Sequence, residues 1–240
     1  MKRQGYGASL DDAHPLALRD INATVIGRTK SNIEQLDMLL GDGFVPGSSV
    51  LLIGPPGAGK STLLMQIVKS LNSPSLYVTG EESVQQLKLR ADRLDMHAGN
   101  VFVLFETNID KIAAHVETMG ILLLIIDSIQ TVYTDTSGSL PGTPTQIRKS
   151  TTILRRLAHR NNLILIIAGQ VTKDRKAAGP KLLEHAVDVV LYLESDGIQK
   201  HQRMLHASKN RYGSTEPRCT LMMHNTGLVF LPVTSADIRI

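Results

Sequence analysis

The sequence predicts an α/β fold: a mainly parallel central sheet flanked by helices, with an antiparallel C-terminal extension. Three observations carry that prediction. Short apolar runs at Val50–Ile53, Leu76–Val78, Val101–Leu104, Ile121–Ile126 and Leu163–Ala168 alternate with helix-compatible stretches, the pattern of repeated strand, helix, strand units. The runs ILLLII (121–126) and LILII (163–167) are continuously apolar, as central strands covered by helices on both faces require. From Val187 onward VVLYLE, QRMLHASKN and CTLMMHN succeed one another with no helix-length segment between them, so they are expected to form the antiparallel part.

In chain order, residues 1–27 mix charges, Gly and Pro without a sustained period and are expected to be a leader or linker. Residues 28–232 then form the folded domain, and 233–240 a short tail. Ile33, Leu36, Leu39 and Leu40 have helical spacing, and GDGFVPGSS ends that helix. The segment TDTSGSLPGTPT (134–145) reads as a mobile loop after a central strand.

The chain of 240 residues, 42% hydrophobic, fits one soluble domain with a sizeable core. No apolar run approaches the roughly 18 residues of a membrane span, and the first residues lack the apolar centre of a secretory signal. A cytoplasmic location is expected. The single cysteine, Cys219, excludes an internal disulfide and a multi-thiolate zinc site and reads as a small buried side chain. His185, His201 and His206 have neither the spacing nor the carboxylate company of a metal site. The net charge is +4. In residues 199–218 Lys200, Arg203, Lys209, Arg211 and Arg218 face only Glu216, so that window accounts for the excess. By itself it reads as a solvated hairpin face.

The strongest chemical signal is Gly54-Pro55-Pro56-Gly57-Ala58-Gly59-Lys60-Ser61, which fits G-x-x-x-x-G-K-[ST] directly after the strand VLLI and before the helix-compatible STLLMQIVKSL. Glycines let the backbone wrap a triphosphate, the helix N-terminus faces the anion, and Lys60 reaches the β- and γ-phosphates. Ser61 offers a hydroxyl to Mg2+, with Thr62 behind it. A plain Gly/Pro turn explains the motif less well, because a Lys at the positive end of a helix dipole is unfavourable without an anion.

Asp127 ends the run ILLLII and is followed by Ser128, on a strand expected beside the phosphate-loop strand; it is the candidate for holding magnesium, directly or through water. YVTGEES offers Glu81 and Glu82 at the end of another strand. Glu81 is preferred as the base that activates water; the alternative is that both acids cap the helix SVQQLKLRADRL. Gln170, ending a central strand, is positioned to contact the γ-phosphate or the attacking water. The loop VTKDRKAAGPK after it holds Lys173, Arg175, Lys176 and Lys181, a cationic segment suited to phosphates without sequence selectivity and without aromatic rings for base stacking.

Six motifs in order, GPPGAGKSTLL, LYVTGEESVQQ, IIDSIQT, GQVTKD, AGPKLLEHAVDVVLYLE and SKNRYGS, resemble the ATPase domain of the bacterial RadA/Sms recombination proteins. The resemblance covers about residues 28–232. It implies the RecA-like P-loop ATPase fold, shared with DnaB-type hexameric helicases and more distantly with KaiC. KNRYG (209–213) is similar to that family's KNRFG, with Tyr212 keeping an aromatic ring, and implies that Lys209 and Arg211 reach a neighbour's nucleotide. The family usually has His where Gln170 stands. RadA proteins also carry a four-cysteine zinc finger and a Lon protease-like domain; with one cysteine and about 27 residues after KNRYG, this chain is expected to lack both, and no zinc is expected.

The resemblance implies an ATP- and Mg2+-dependent enzyme that assembles head to tail into a ring, with a hexamer favoured, and remodels single-stranded DNA in recombinational repair. A recombinase or other protein is its expected partner, and no membrane. Two other readings stay open: a KaiC-like regulatory ATPase that switches protein partners without DNA, and a monomeric P-loop domain that hydrolyses poorly.

Overall fold

The computed structural model describes residues 27–97, 99–170, 183–195 and 199–232, together with Ala17. The expected tail and nearly all of the expected leader fall outside the described residues. The elements run α1 (Glu34–Leu40), β1 (Ser49–Gly54), α2 (Lys60–Leu71), β2 (Ser75–Thr79), α3 (Val84–Arg93), β3 (Val101–Phe105), α4 (Ile109–Met119), β4 (Leu123–Asp127), α5 (Pro144–Asn161), β5 (Ile164–Gln170), β6 (Val189–Ser195), β7 (Gln202–Asn210), β8 (Arg218–His224) and β9 (Gly227–Phe230). One sheet holds the nine described strands in the order β3-β2-β4-β5-β1-β6-β7-β8-β9.

The period of two along each central strand divides the core. Val50 and Leu52 of β1 pack into one apolar cluster with α1 and α2, whereas Leu51 and Ile53 pack into the other with α4 and α5. Both faces of the middle strands are therefore dry, which is why β1 and β4 read as unbroken apolar runs. Among the described residues no helix is long and apolar enough to cross a membrane.

Three expectations are corrected. VVLYLE is antiparallel on one side only: β6 pairs antiparallel with β7 as expected but lies parallel to β1 on its other side. The register is pinned at the strand starts, where Asp188 Oδ2 accepts from Ser49 N (3.0 Å) and Ser49 Oγ (2.6 Å) and Asp188 N donates to Ser49 O (3.0 Å). The second concerns β4, which is separated from β1 by β5 instead of lying beside it. The segment 134–145 is the third, since it does not hang free. Asp135–Ser137 is a 3-10 turn, Gln146 Nε2 donates to Thr134 O (3.1 Å) and Lys149 Nζ to Thr136 O (2.9 Å). Its last two residues are the first turn of α5, started by Pro144, whose fixed φ suits that position.

Candidate nucleotide site

The parallel strands β1, β2, β4 and β5 all end on one edge of the sheet, and the site is built from their last residues and the loops that leave them. Gly54 closes β1 so tightly against β6 that a Cβ there would lie 2.4 Å from Leu193 O. The loop then turns, with Ala58 N donating to Pro55 O (3.2 Å), and α2 starts at Gly59, whose φ of 105° only glycine adopts without strain. No side chain caps α2 and no acidic residue sits in its first turn, so its leading N–H groups have no side-chain acceptor among the described residues. Lys60, 8% exposed, folds its ammonium back on Gly54 O (2.8 Å) and Pro55 O (3.0 Å). Burial pushes that lysine below its usual pKa, while the Asp127 and Glu81 carboxylates pull it up. Uncapped donors and a buried cation at a helix N-terminus fit polyphosphate.

The acidic wall faces the loop from β2 and β4. Asp127 ends β4 and accepts from Tyr77 Oη at 2.6 Å. Tyr77 is fully buried on β2, and burial, reinforced by the Asp127 charge, holds its phenol well above the ordinary value. The hydroxyl therefore stays a donor, which orients one carboxylate oxygen and leaves the other for a ligand. Glu81 accepts from Ser128 Oγ and from Gln170 Nε2, the latter at 3.2 and 3.3 Å. Glu82 points elsewhere and pairs with Arg90 of α3. Neither acid caps α3. Ser83 does so, in a reciprocal capping box with Gln86.

KNRYG lies at the opposite edge. Lys209 pairs with Val190 in the sheet, level with Leu51 near the start of β1, roughly 10 Å below Gly54 at 3.3 Å per residue. Lys209 Nζ donates to Val187 O (2.6 Å), Glu184 O (2.8 Å) and, more weakly, His185 O (3.4 Å). Arg211 Nη1 meets Asp188 Oδ1 at 2.9 Å, and half of its side chain stays exposed. Asn210 Nδ2 holds Leu39 O (3.1 Å), and Tyr212 O takes Arg28 Nη2 (2.7 Å). The signature thus ties the sheet to α1 and to the start of the described chain.

Lys60, Glu81, Asp127, Ser128 and Gln170 come together at one edge; Glu82, Lys209 and Arg211 do not join them. The loop residues Lys173, Arg175, Lys176 and Lys181 lie outside the described residues. Two participants escape a reading of the sequence. Tyr77 is hidden in an apolar run, where only its hydroxyl hints at a buried acceptor. Arg203 falls in a window that reads as solvated, yet it is 9% exposed, donates from Nε to Ala58 O of the phosphate loop (3.1 Å) and from Nη1 to Lys200 O and Gln202 O. Its place at an inward position of the alternating strand QRMLHA is the available signal. Beside it, Gln66 of α2 clasps the backbone of Leu228 on β9 through both amide atoms (2.8 and 2.9 Å). The antiparallel strands therefore brace the loop and its helix.

A model described as an AAA domain matches residues 12–176, more than half of the chain. The chain belongs to that family. The RadA resemblance holds with it: the DNA repair protein RadA of Streptococcus pneumoniae is 44% identical over 90% of this chain and 51% of its own length, that of Listeria monocytogenes 44% over 84% and 45%, and that of Bacillus subtilis 42% over 89% and 47%. The chain spans about half the length of these curated relatives. Among solved structures, a KaiC-like protein from Pyrococcus horikoshii superposes with a TM-score of 0.68 at 22% identity, over 86% of this chain and all of its own. A RadB recombinase superposes with 0.64 at 18%, over 85% and all of its own. These two establish the fold, which is RecA-like.

Proposed function

We propose that this chain is a magnesium-dependent ATPase domain of the RadA type, acting in the cytoplasm as a head-to-tail ring on single-stranded DNA in recombinational repair. The carrying observation is Glu81, suspended between Ser128 and Gln170, with its charge offsetting part of the lowering that burial imposes on the Lys60 pKa. Glu81 takes the proton of the attacking water and Gln170 orients that water, as hydrolysis requires. Lys60 exchanges its two carbonyl acceptors for phosphate oxygens and neutralises their charge. Magnesium, held by Ser61 and Asp127, would supply Lewis-acid charge at the phosphates. Among the described residues no cluster of three His, Cys, Asp or Glu could hold a metal by itself, and one carboxylate, one hydroxyl and phosphate oxygens are the usual Mg2+ company.

The transition-state charge also needs a cation from outside. Lys209 and Arg211 sit too far below their own phosphate loop, so a finger acts on a neighbour. Arg211 is the better finger, because Lys209 spends its donors on three carbonyls. Assembly is further supported by the sheet edge at β3, where Phe102, Val103 and Phe105 are exposed, an apolar strand edge that invites pairing.

The deciding experiment is steady-state ATP hydrolysis with Mg2+, with and without an oligo-dT strand, across protein concentration. DNA stimulation that grows with concentration is expected. A slow rate indifferent to both overturns the DNA-coupled ring in favour of the regulatory or monomeric reading.

A further inference from the structure

The charge on α5 is unlike that of any other described helix. Between Pro144 and Asn161 it carries Arg148, Lys149, Arg155, Arg156 and Arg160 and no Asp or Glu. The balance of charge over the whole chain conceals this, because acids elsewhere cancel it. Its apolar side, Ile147, Leu154 and Leu157, is buried in the core, so the cations are forced onto the other side. Arg155 leans toward Asp188 at 3.8 Å. Among the described residues no carboxylate comes within salt-bridge range of Arg148, Lys149, Arg156 or Arg160.

These groups border a groove of about 510 Å³ on the outer face of α5, with Arg148, Lys149 and Arg156 among hydroxyls of Thr136, Thr145 and Thr152. Lys149 is fixed to Thr136 O, which joins the groove wall to the chain arriving from Asp127. At 1.5 Å per residue, Arg148 and Arg156 are about 12 Å apart along the helix and Arg156 and Arg160 about 6 Å. Those separations correspond to between three and four phosphate steps and to about two, respectively, of a stacked strand at roughly 3.4 Å per nucleotide. Cations and hydroxyls without an aromatic ring read a phosphodiester backbone and not its bases.

We infer that the outer face of α5 is a phosphate-backbone track for single-stranded DNA, contacted by Arg148 and Arg156 in the groove and Arg160 beyond it. The inference rests on the proposed DNA-binding function and adds a surface to the cationic loop 171–181. Because Gln130, just after β4, donates to Gln170 O at 3.3 Å, the segment leading into α5 also touches the strand that carries Gln170.

The test compares the wild type with R148Q/R156Q, two exposed positions outside the nucleotide site. Binding of fluorescein-labelled oligo-dT is measured by anisotropy over a range of KCl, with an unlabelled duplex of equal length as competitor. The double variant should keep its melting temperature and DNA-free ATPase rate, bind oligo-dT at least tenfold more weakly at low salt, and lose about 1.4 from the slope of log K against log salt. Unchanged affinity and slope in the variant, with a wild type that binds, overturns the α5 track alone. A wild type that does not bind oligo-dT at low salt overturns the DNA-binding function itself. Weaker DNA binding accompanied by loss of the oligomer on light scattering overturns the track in favour of a protein interface on this face, and duplex competing better than oligo-dT overturns its single-strand preference.

Discussion

Lys60 and Lys209 sit at opposite edges of the sheet and look alike: each is partly withdrawn from water, each has its pKa lowered first by desolvation, and each donates to backbone carbonyls. Their surroundings differ in sign. Asp127 and Glu81 draw the Lys60 pKa back up, whereas Arg211 and Arg155 depress that of Lys209 further, against Asp188 and Glu184. Lys60 holds two carbonyls of its own loop at the start of a helix that lacks a cap. Lys209 satisfies the last carbonyls around residues 183–187, where a cation is favourable. In the proposed ATPase the first lysine receives an anion, whereas the second already serves carbonyls of the fold. Sequence assigns both to nucleotide, one in its own loop and one in a neighbour's, and does not show that Lys209 is tied to backbone carbonyls of its own fold.

The largest effect should come from Lys60. K60A is expected to lower ATP turnover by roughly 10³-fold or more while leaving the melting temperature nearly unchanged; phosphate release near the wild-type rate would break the assignment. In the wild type, kcat/KM reports the free enzyme, so its alkaline limb should lie below the ordinary lysine value of 10.5. The protonated form is the active one, and the rate falls as pH rises through the lowered pKa.

Next come the two adjacent acids. E81Q should cost about 10²–10⁴ in kcat with nucleotide binding retained, as read by a fluorescent ATP analogue. E82Q should keep most of the rate and lose only the link to Arg90, a change of about 1 kcal/mol or less in stability. Equal losses of rate would merge their roles.

The opposite edge offers a sharper contrast. R211A should stay folded and turn over poorly, and mixing it with K60A should recover activity if the finger works between subunits. K209M should instead lower stability by about 1–3 kcal/mol, because it strands carbonyls that the ammonium served. A K209M protein of normal stability with no turnover would exchange the two roles.

The smallest effect is expected at Arg203. R203M removes the bond to Ala58 O, so nucleotide affinity should drop roughly tenfold while kcat changes little. R203K should not restore it, since a lysine has no fixed fork to reach the same carbonyls.

How far these residues are legible depends on how local their signals are. The phosphate loop is one contiguous run whose glycines, lysine and hydroxyl each have a fixed task, and β1, β2, β4 and β5 announce themselves because strands buried on both faces need unbroken apolar sequence. Glu81 is preferred over Glu82 from sequence, but nothing within GEES shows which carboxylate meets Ser128 and Gln170, residues 47 and 89 positions away. The parallel direction of β6 is not legible because its cause, Asp188 on Ser49, spans 139 positions. The α5 charge escapes for a simpler reason: a sum over the chain has no direction in space.

By itself, then, the sequence determined the order of the elements, the burial of the central strands and the chemistry of the phosphate loop, all of which depend on neighbours within a few residues. Only the tertiary structure decided that β5 intervenes between β4 and β1, that Arg203 and Tyr77 serve the site, and that Lys209 and Arg211 lie beyond reach of their own nucleotide loop. Each of those depends on side chains brought together across the sheet, where distance along the chain carries no information about distance in space.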